Sequence, residues 1–153
     1  MGRQINDAGL ELIKSFEGFK SDPYPDPGTN GEPYTIGYGT TLYLDGTKVT
    51  LQDPPIDEPT ANQLLQNLLN NEYCPQVESV ITVTITDNQF AAAVSFCFNV
   101  GIGNLKQSTF LKCMNNYNFS DAAGALLLWN KSNGIVMSGL TKRRQAEKTL
   151  FLS

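Results

Sequence analysis

Histidine is absent from the 153 residues, and the chain holds only three cysteines and one tryptophan. Without an imidazole, a Ser–His or Cys–His nucleophile system is excluded, because the base that activates the hydroxyl or thiol is missing. Cys74, Cys97 and Cys113 are odd in number and lack paired ligand spacing, so neither a zinc site nor any other metal or cofactor is expected. They read as buried, reduced thiols of a protein made in a cytosol. No apolar run approaches the ~20 residues that span a bilayer, so stable membrane insertion is not expected. The opening MGRQINDAGLELIK is too polar and too charged to read as a signal peptide. With eleven Lys and Arg in all, nucleic acid is not an expected partner.

Hydrophobic residues make up 41% of the chain, enough for a packed core. The length suits one domain, or two small lobes sharing that core. Charge is unevenly spread. Residues 1–80 carry twelve acids and four bases, net −8, and residues 81–153 carry three acids and seven bases, net +4. A basic second half suits an acidic polymer, although a solvated helix face gives the same pattern.

Asn6 is the N-cap candidate of a first helix, with Ile5 placed to staple onto Leu10. Leu10, Ile13 and Glu17 fall at i, i+3 and i+7 and share one face, widened by Leu12 and Phe16. Glu17 therefore stands where another leucine would be expected, and Gly18 follows as the stop. A carboxylate at a helix C-terminus feels the negative end of the macrodipole, and apolar neighbours desolvate it. Both disfavour the ionised form, as a general acid requires. An exposed glutamate paired with Lys14 or Lys20 is the plainer reading.

Residues 22–34, DPYPDPGTNGEPY, hold four prolines and two glycines, which excludes a helix. Asp26 lies between Pro25 and Pro27 on stiff backbone, suited to a base or charge stabiliser, or simply to a turn. Tyr34 to Tyr43 is rich in β-branched and aromatic residues. With Asp45-Gly46 as the turn and Thr47 to Leu51 as the return, it predicts a β-hairpin. Gly37 and Gly39 leave one face of that strand bare, open to a ligand or another backbone.

Asp53-Pro54-Pro55-Ile56 is the best lobe boundary. Asp57 then caps a long helix with Leu64, Leu65, Leu68 and Leu69 on its buried face, ended or kinked by Pro75. Beyond it the chain reads as helical nearly throughout. Thr86 to Gln89 forms a capping box for a helix through Phe98, Ser108 caps one to about Asn116, and Ser120 caps one through Leu128. Ser138-Gly139 opens the last. The fold class is α+β: a small N-terminal lobe with a β-hairpin (about 14–55), a long connecting helix, and a larger helical lobe (about 57–153 plus the N-terminal helix), together one domain over 1–153.

Three ordered blocks carry a resemblance. The first is Glu17-Gly18, then Tyr24-Pro25-Asp26, then Tyr34-Thr35-Ile36-Gly37-Tyr38-Gly39. The second runs from Gln89-Phe90 through Ser95 to Gly101 and on to Ser108-Thr109. The third is Gly139 to Glu147, closing with Leu150-Phe151-Leu152. Together they resemble the phage-type lysozymes, glycoside hydrolase family 24, many of which are bacteriophage endolysins. The resemblance implies a lysozyme-like fold and a peptidoglycan hydrolase that cuts the β-1,4 bond between N-acetylmuramic acid and N-acetylglucosamine with inversion. It places Glu17 at the acid position, Asp26 at the second carboxylate and Thr35 at the catalytic threonine. Phe98 and Asn99 resemble the cleft wall, and Thr41 and Thr109 align with sugar-contacting positions. Arg143 or Arg144 is placed to hold Glu17, or else to tether the lobes. One departure is Thr40, where many members carry a structural histidine; another is a longer segment between Asp26 and Thr35.

Because the opening residues do not read as an export signal, the chain is expected to wait as a monomer in the host cytoplasm until a holin opens the membrane and gives it the wall. A lytic transglycosylase and a catalytically silent wall-binding domain are the competing readings.

Overall fold

The first helix, α1 (Asp7–Glu17), starts at its expected cap: Asn6 Oδ1 accepts a hydrogen bond from the Gly9 N–H at 3.0 Å. Ile5, Leu10 and Ile13 are buried together in the main core. Gly18 ends the helix at φ +75°, returning its N–H to the Lys14 carbonyl. These features come from a computed structural model of the chain, which describes residues 2–153 and has an α+β architecture.

The small lobe departs from the expected hairpin. Strand β1 (Lys20–Tyr24) pairs antiparallel with β2 (Thr35–Gly37), with Lys20 opposite Gly37 and Tyr24 opposite Thr35. The spacing is longer on β1, so that strand bulges around Pro23, which has no N–H to give to a ladder. The Asp45-Gly46 turn does form, through Gly46 N–H to Tyr43 O and Tyr43 N–H to Thr47 O. Its ladder, however, shrinks to one bridge, Leu42 with Lys48. The cause is Gly37 and Gly39, at φ +68° and +92°. Gly37 is the last residue of β2 and Gly39 lies beyond it. They fold the chain back so that Ile36 bridges Thr40. Thr40 is buried, and its hydroxyl donates to the Ile36 carbonyl at 3.1 Å. A neutral hydroxyl thus closes its own turn at the position where the sequence departs from the resembled pattern.

The connecting helix opens as α2 (Glu58–Leu68), capped by Asp57 Oδ1 on the Thr60 N–H. Pro75 does not end it. The chain widens into a π turn, Leu69–Tyr73, and continues as α3 (Cys74–Val80). The wider turn absorbs the ring and the missing N–H. Leu64, Leu65 and Leu69 are buried, whereas Leu68 is only half-buried.

The helical lobe surrounds α4 (Asp87–Val100), whose Thr86–Gln89 capping box has both hydrogen bonds. Every residue from Phe90 to Cys97 is buried, the signature of a helix sheathed on all sides. Around it lie α5 (Ile102–Gln107), α6 (Thr109–Asn115, capped by Ser108), α7 (Phe119–Leu126) and α8 (Ser138–Leu152). The helix expected at Ser120 begins earlier, after Asn118, and stops at Leu126. Between α7 and α8 a short hairpin, β3 (Lys131–Ser132) with β4 (Ile135–Val136), turns on Asn133-Gly134, both at positive φ.

Edge-to-face aromatic contacts run through the lobe: Phe96 to Phe110 at 5.3 Å, Phe110 to Phe151 at 5.4 Å, and Phe96 to Trp129 at 5.6 Å between centroids. Each such side chain adds roughly 1.5–3 kcal/mol of burial free energy. A second, smaller core of Ile36, Val49 and Leu64 lies under the small lobe. α1 packs closely on α4: a Cβ built on Gly9 would stand 2.6 Å from Ala91 Cβ.

Candidate active site

Glu17 ends α1 where the helix meets the small lobe. A Cβ built on Gly39 would lie 3.5 Å from Glu17 Oε1, so the bare glycine backbone passes directly beside the carboxylate. The apolar surroundings expected from the helical face are not what Glu17 meets. Its Oε2 accepts from Arg143 Nη1 at 2.8 Å, and its side chain remains about a quarter exposed, at 26%. The last turn of α1 points past the core, and α8 supplies a cation there. Lys14 and Lys20 do not pair with Glu17; Lys14 bonds Glu11 and Glu58 instead.

Of the two arginines, only Arg143 reaches Glu17. Arg144 is fully buried, its Nη2 2.9 Å from Glu147 Oε2 and its guanidinium 5.0 Å from the Phe96 ring centroid. Arg143 is itself held on other sides. Nε lies 3.4 Å from Glu147 Oε2, Nη2 donates to the Ser95 carbonyl at 3.3 Å, and the guanidinium sits 5.8 Å from the Phe16 ring centroid. Glu147 is wholly buried and accepts the Ser95 hydroxyl at 2.6 Å. Burial drives the Glu147 carboxyl above the ordinary carboxylate range, against the pull of Arg144, Ser95 and Arg143.

Two tyrosines lie within range of the Glu17 charge. Burial, and secondarily the charge of Glu17, push the Tyr24 phenol up. Tyr73 is also raised, by burial first and by Glu17 among lesser charges. Tyr24 is the strand partner of Thr35, and Asp26 follows it by two residues, so Asp26 and Thr35 occupy the same end of the β1–β2 ladder. Asp26 is half-buried and anchors its loop. Its N–H donates to the Gly31 carbonyl, its carbonyl accepts from Thr29 and Asn30, and Oδ1 accepts the Gly28 N–H at 3.2 Å. Thr35 Oγ1 lies 3.5 Å from the Pro33 carbonyl, a long contact that leaves the hydroxyl free for a stronger partner.

On the helical wall, Phe98 meets Tyr73 edge-on at 4.9 Å. Asn99 is exposed and lines a cavity of about 380 Å³ with Asn104, Trp129 and Lys131. Thr41 lines two cavities of the small lobe, one of about 310 Å³ with Glu32, Tyr34 and Lys48, the other of about 190 Å³ against α2 and the π turn. Neither has Glu17, Asp26 or Thr35 in its lining. Thr109 is exposed at the start of α6, and no contact among the described residues ties it to Glu17.

Sequence reasoning did not assign roles to Tyr24, Tyr73, Ser95 or Glu147. For Glu147 a signal was present: Arg144, Glu147 and Phe151 share helical spacing, which places two charges on a stripe that also carries a core phenylalanine.

Residues 14–147 match the phage lysozyme family. The chain is 44% identical over 149 residues to the endolysin of Bacillus phage B103, covering 97% of this chain and 54% of that one. It is 35% identical over 150 residues to the endolysin of Salmonella phage P22, covering 98% and 99%. It spans about half the length of the two Bacillus phage relatives it matches. Among solved structures it is similar to a P22 lysozyme mutant, with a TM-score of 0.88, 33% identity and 99% of each chain covered.

Proposed function

The chain belongs to the phage lysozyme family, and on that premise we propose that it is a peptidoglycan hydrolase cleaving the β-1,4 bond between N-acetylmuramic acid and N-acetylglucosamine. The observation that carries this reading is the Glu17–Arg143 pair set beside the bare Gly39 backbone, with the charge of Glu17 reaching Tyr24, the strand partner of Thr35.

In the proposed reaction Glu17, in its protonated form, donates to the leaving glycosidic oxygen. Arg143 fixes the orientation of that carboxyl and stabilises the carboxylate it becomes. Asp26 stays ionised, stabilises the oxocarbenium-like state and activates water, and Thr35 Oγ1 orients that water. Inversion requires room for it, with carboxyl groups roughly 6.5–9.5 Å apart. Phe98, Asn99, Thr41 and Thr109 are the proposed substrate contacts, with the Phe98–Tyr73 pair as an apolar wall for a sugar face.

We place the protein as a monomer in the host cytoplasm until a holin opens the membrane. Lysis on expression of this chain alone, with the inner membrane intact, would count against that placement.

The deciding experiment digests purified peptidoglycan with wild type and Glu17→Gln side by side. Reducing muramic ends from the wild type and none from the variant are expected. Anhydro-muramyl ends would assign a lytic transglycosylase instead. Binding to sacculi with no product from either protein would assign a silent wall-binding domain. Full activity of Glu17→Gln would remove Glu17 from the acid role.

A further inference from the structure

Arg143 is one cation shared by two carboxylates. One, Glu17, opens to solvent; the other, Glu147, is wholly buried. Nη1 serves Glu17 at 2.8 Å and Nε serves Glu147 Oε2 at 3.4 Å. The same Oε2 takes the Ser95 hydroxyl at 2.6 Å and Arg144 Nη2 at 2.9 Å. Everything on the core side of Arg143 is closed to water: Ser95, Arg144 and Glu147 are all buried. An apolar stripe could have filled this volume at lower desolvation cost, so a charged network here calls for a task beyond packing.

We propose that Glu147, fixed by Ser95 and Arg144, is a positioning residue that holds Arg143 against Glu17 and divides its charge between the two carboxylates, thereby setting how readily Glu17 gives up its proton. The proposal rests on the reading of Glu17 as the general acid.

The groups facing Glu17 are Arg143 from α8, Tyr24 from β1 and Tyr73 from the π turn. Those facing Glu147 are Ser95 from α4 and Arg143 and Arg144 from α8. Of these, Arg143 alone is bonded to both carboxylates, so a change at Glu147 reaches Glu17 through it.

The signs follow from charge. Replacing Glu147 by Gln removes a competing anion and leaves Arg143 wholly to Glu17. The ionised form of Glu17 is then favoured, and the acid form is lost at lower pH. Replacing Ser95 by Ala acts oppositely. Glu147 Oε2 loses its short hydroxyl donor and draws more on Arg143 Nε, leaving Glu17 less stabilised when ionised.

The test measures kcat against pH on purified peptidoglycan for wild type, Glu147→Gln and Ser95→Ala, together with the pH titration of the Glu17 side-chain carboxyl by ¹³C NMR. The alkaline limb and the Glu17 titration are expected to move down by roughly half a pH unit in Glu147→Gln. Both are expected to move up, by less, in Ser95→Ala. If Glu147→Gln does not fold, Ser95→Ala and its upward shift carry the test, since that change removes a single buried oxygen. Variants that melt earlier yet keep the wild-type limb and titration would overturn the proposal and leave the network a purely structural one. A Glu17→Gln enzyme with full activity would defeat the acid assignment itself; the NMR titration would still report whether Glu147 and Glu17 are coupled.

Discussion

Arg143 Nη1 lies 2.8 Å from Glu17 Oε2, joining the first helix to the last across 126 residues of chain. The guanidinium uses three separate nitrogens on Glu17, Ser95 and Glu147. A lysine carries the charge but not the fork. Arg143→Lys is therefore expected to lower kcat on peptidoglycan at least roughly tenfold with little change in KM, the mark of an interaction realised in the transition state. Initial rates over a range of substrate concentrations check it. An unchanged kcat would deny the arginine any catalytic weight.

Gly9 and Gly124 both lie inside helices, and the same substitution should act on them in opposite directions. A Cβ on Gly9 would meet Ala91 Cβ at 2.6 Å, while one on exposed Gly124 meets nothing within 4 Å. Gly124→Ala is expected to stabilise by about 0.5–1 kcal/mol through helix propensity. Gly9→Ala should destabilise by about 1–3 kcal/mol, because α1 must move off α4. Urea titrations of the two variants measure both.

Lys14 joins α1 to the start of the connecting helix. Its Nζ is 2.9 Å from Glu58 Oε2, which also accepts the Tyr38 hydroxyl at 2.7 Å. Glu58 raises the Lys14 ammonium above its ordinary 10.5. Its contribution is therefore whole below that pH and fades as pH climbs through the folded value. Tyr38 and Lys14 hold the Glu58 carboxyl below its ordinary 4.5, so its contribution is whole above 4.5 and fades as pH falls through the folded value. The Tm gap between wild type and Glu58→Gln should thus form a plateau across neutral pH and narrow toward both extremes. A gap independent of pH would show that Glu58 acts by packing alone.

Cys74 and Cys97 are fully buried and their thiols are pushed up to about 11, whereas Cys113 is partly exposed. A thiol reagent at pH 8 should label Cys113 alone in the native protein and all three residues in denaturant. Rapid native labelling of two or more would show that α4 or α3 opens readily.

The helical lobe was largely legible in the sequence because its signals are local: Asn6, Asp57, Thr86 and Ser108 cap where their side chains and the following apolar spacing require. The small lobe was harder to read. Gly37 and Gly39 look like strand glycines in a β-rich run, and only their positive φ shows that they reverse the chain. Strand β1 was hidden by Pro23, and the Asn133-Gly134 turn by the short strands beside it. In the candidate site, a motif picks out Glu17, Asp26 and Thr35 as candidates, but it does not choose between Arg143 and Arg144 as the partner of Glu17. Adjacent helical residues point about 100° apart, and which one faces Glu17 depends on how α8 lies on α4.

The π turn at Leu69–Tyr73 has a bearing on the whole assembly. It fits one residue more than regular winding would take, so everything after it is out of phase, by roughly 100°, with an uninterrupted helix. The floor beneath the hairpin is built before that extra residue and the partners of α4 after it. The angle at which two halves of the molecule face each other is therefore encoded in the count of residues between them, and a single deletion there would swing one half around the other and carry Tyr73, the last residue of the turn, away from Glu17.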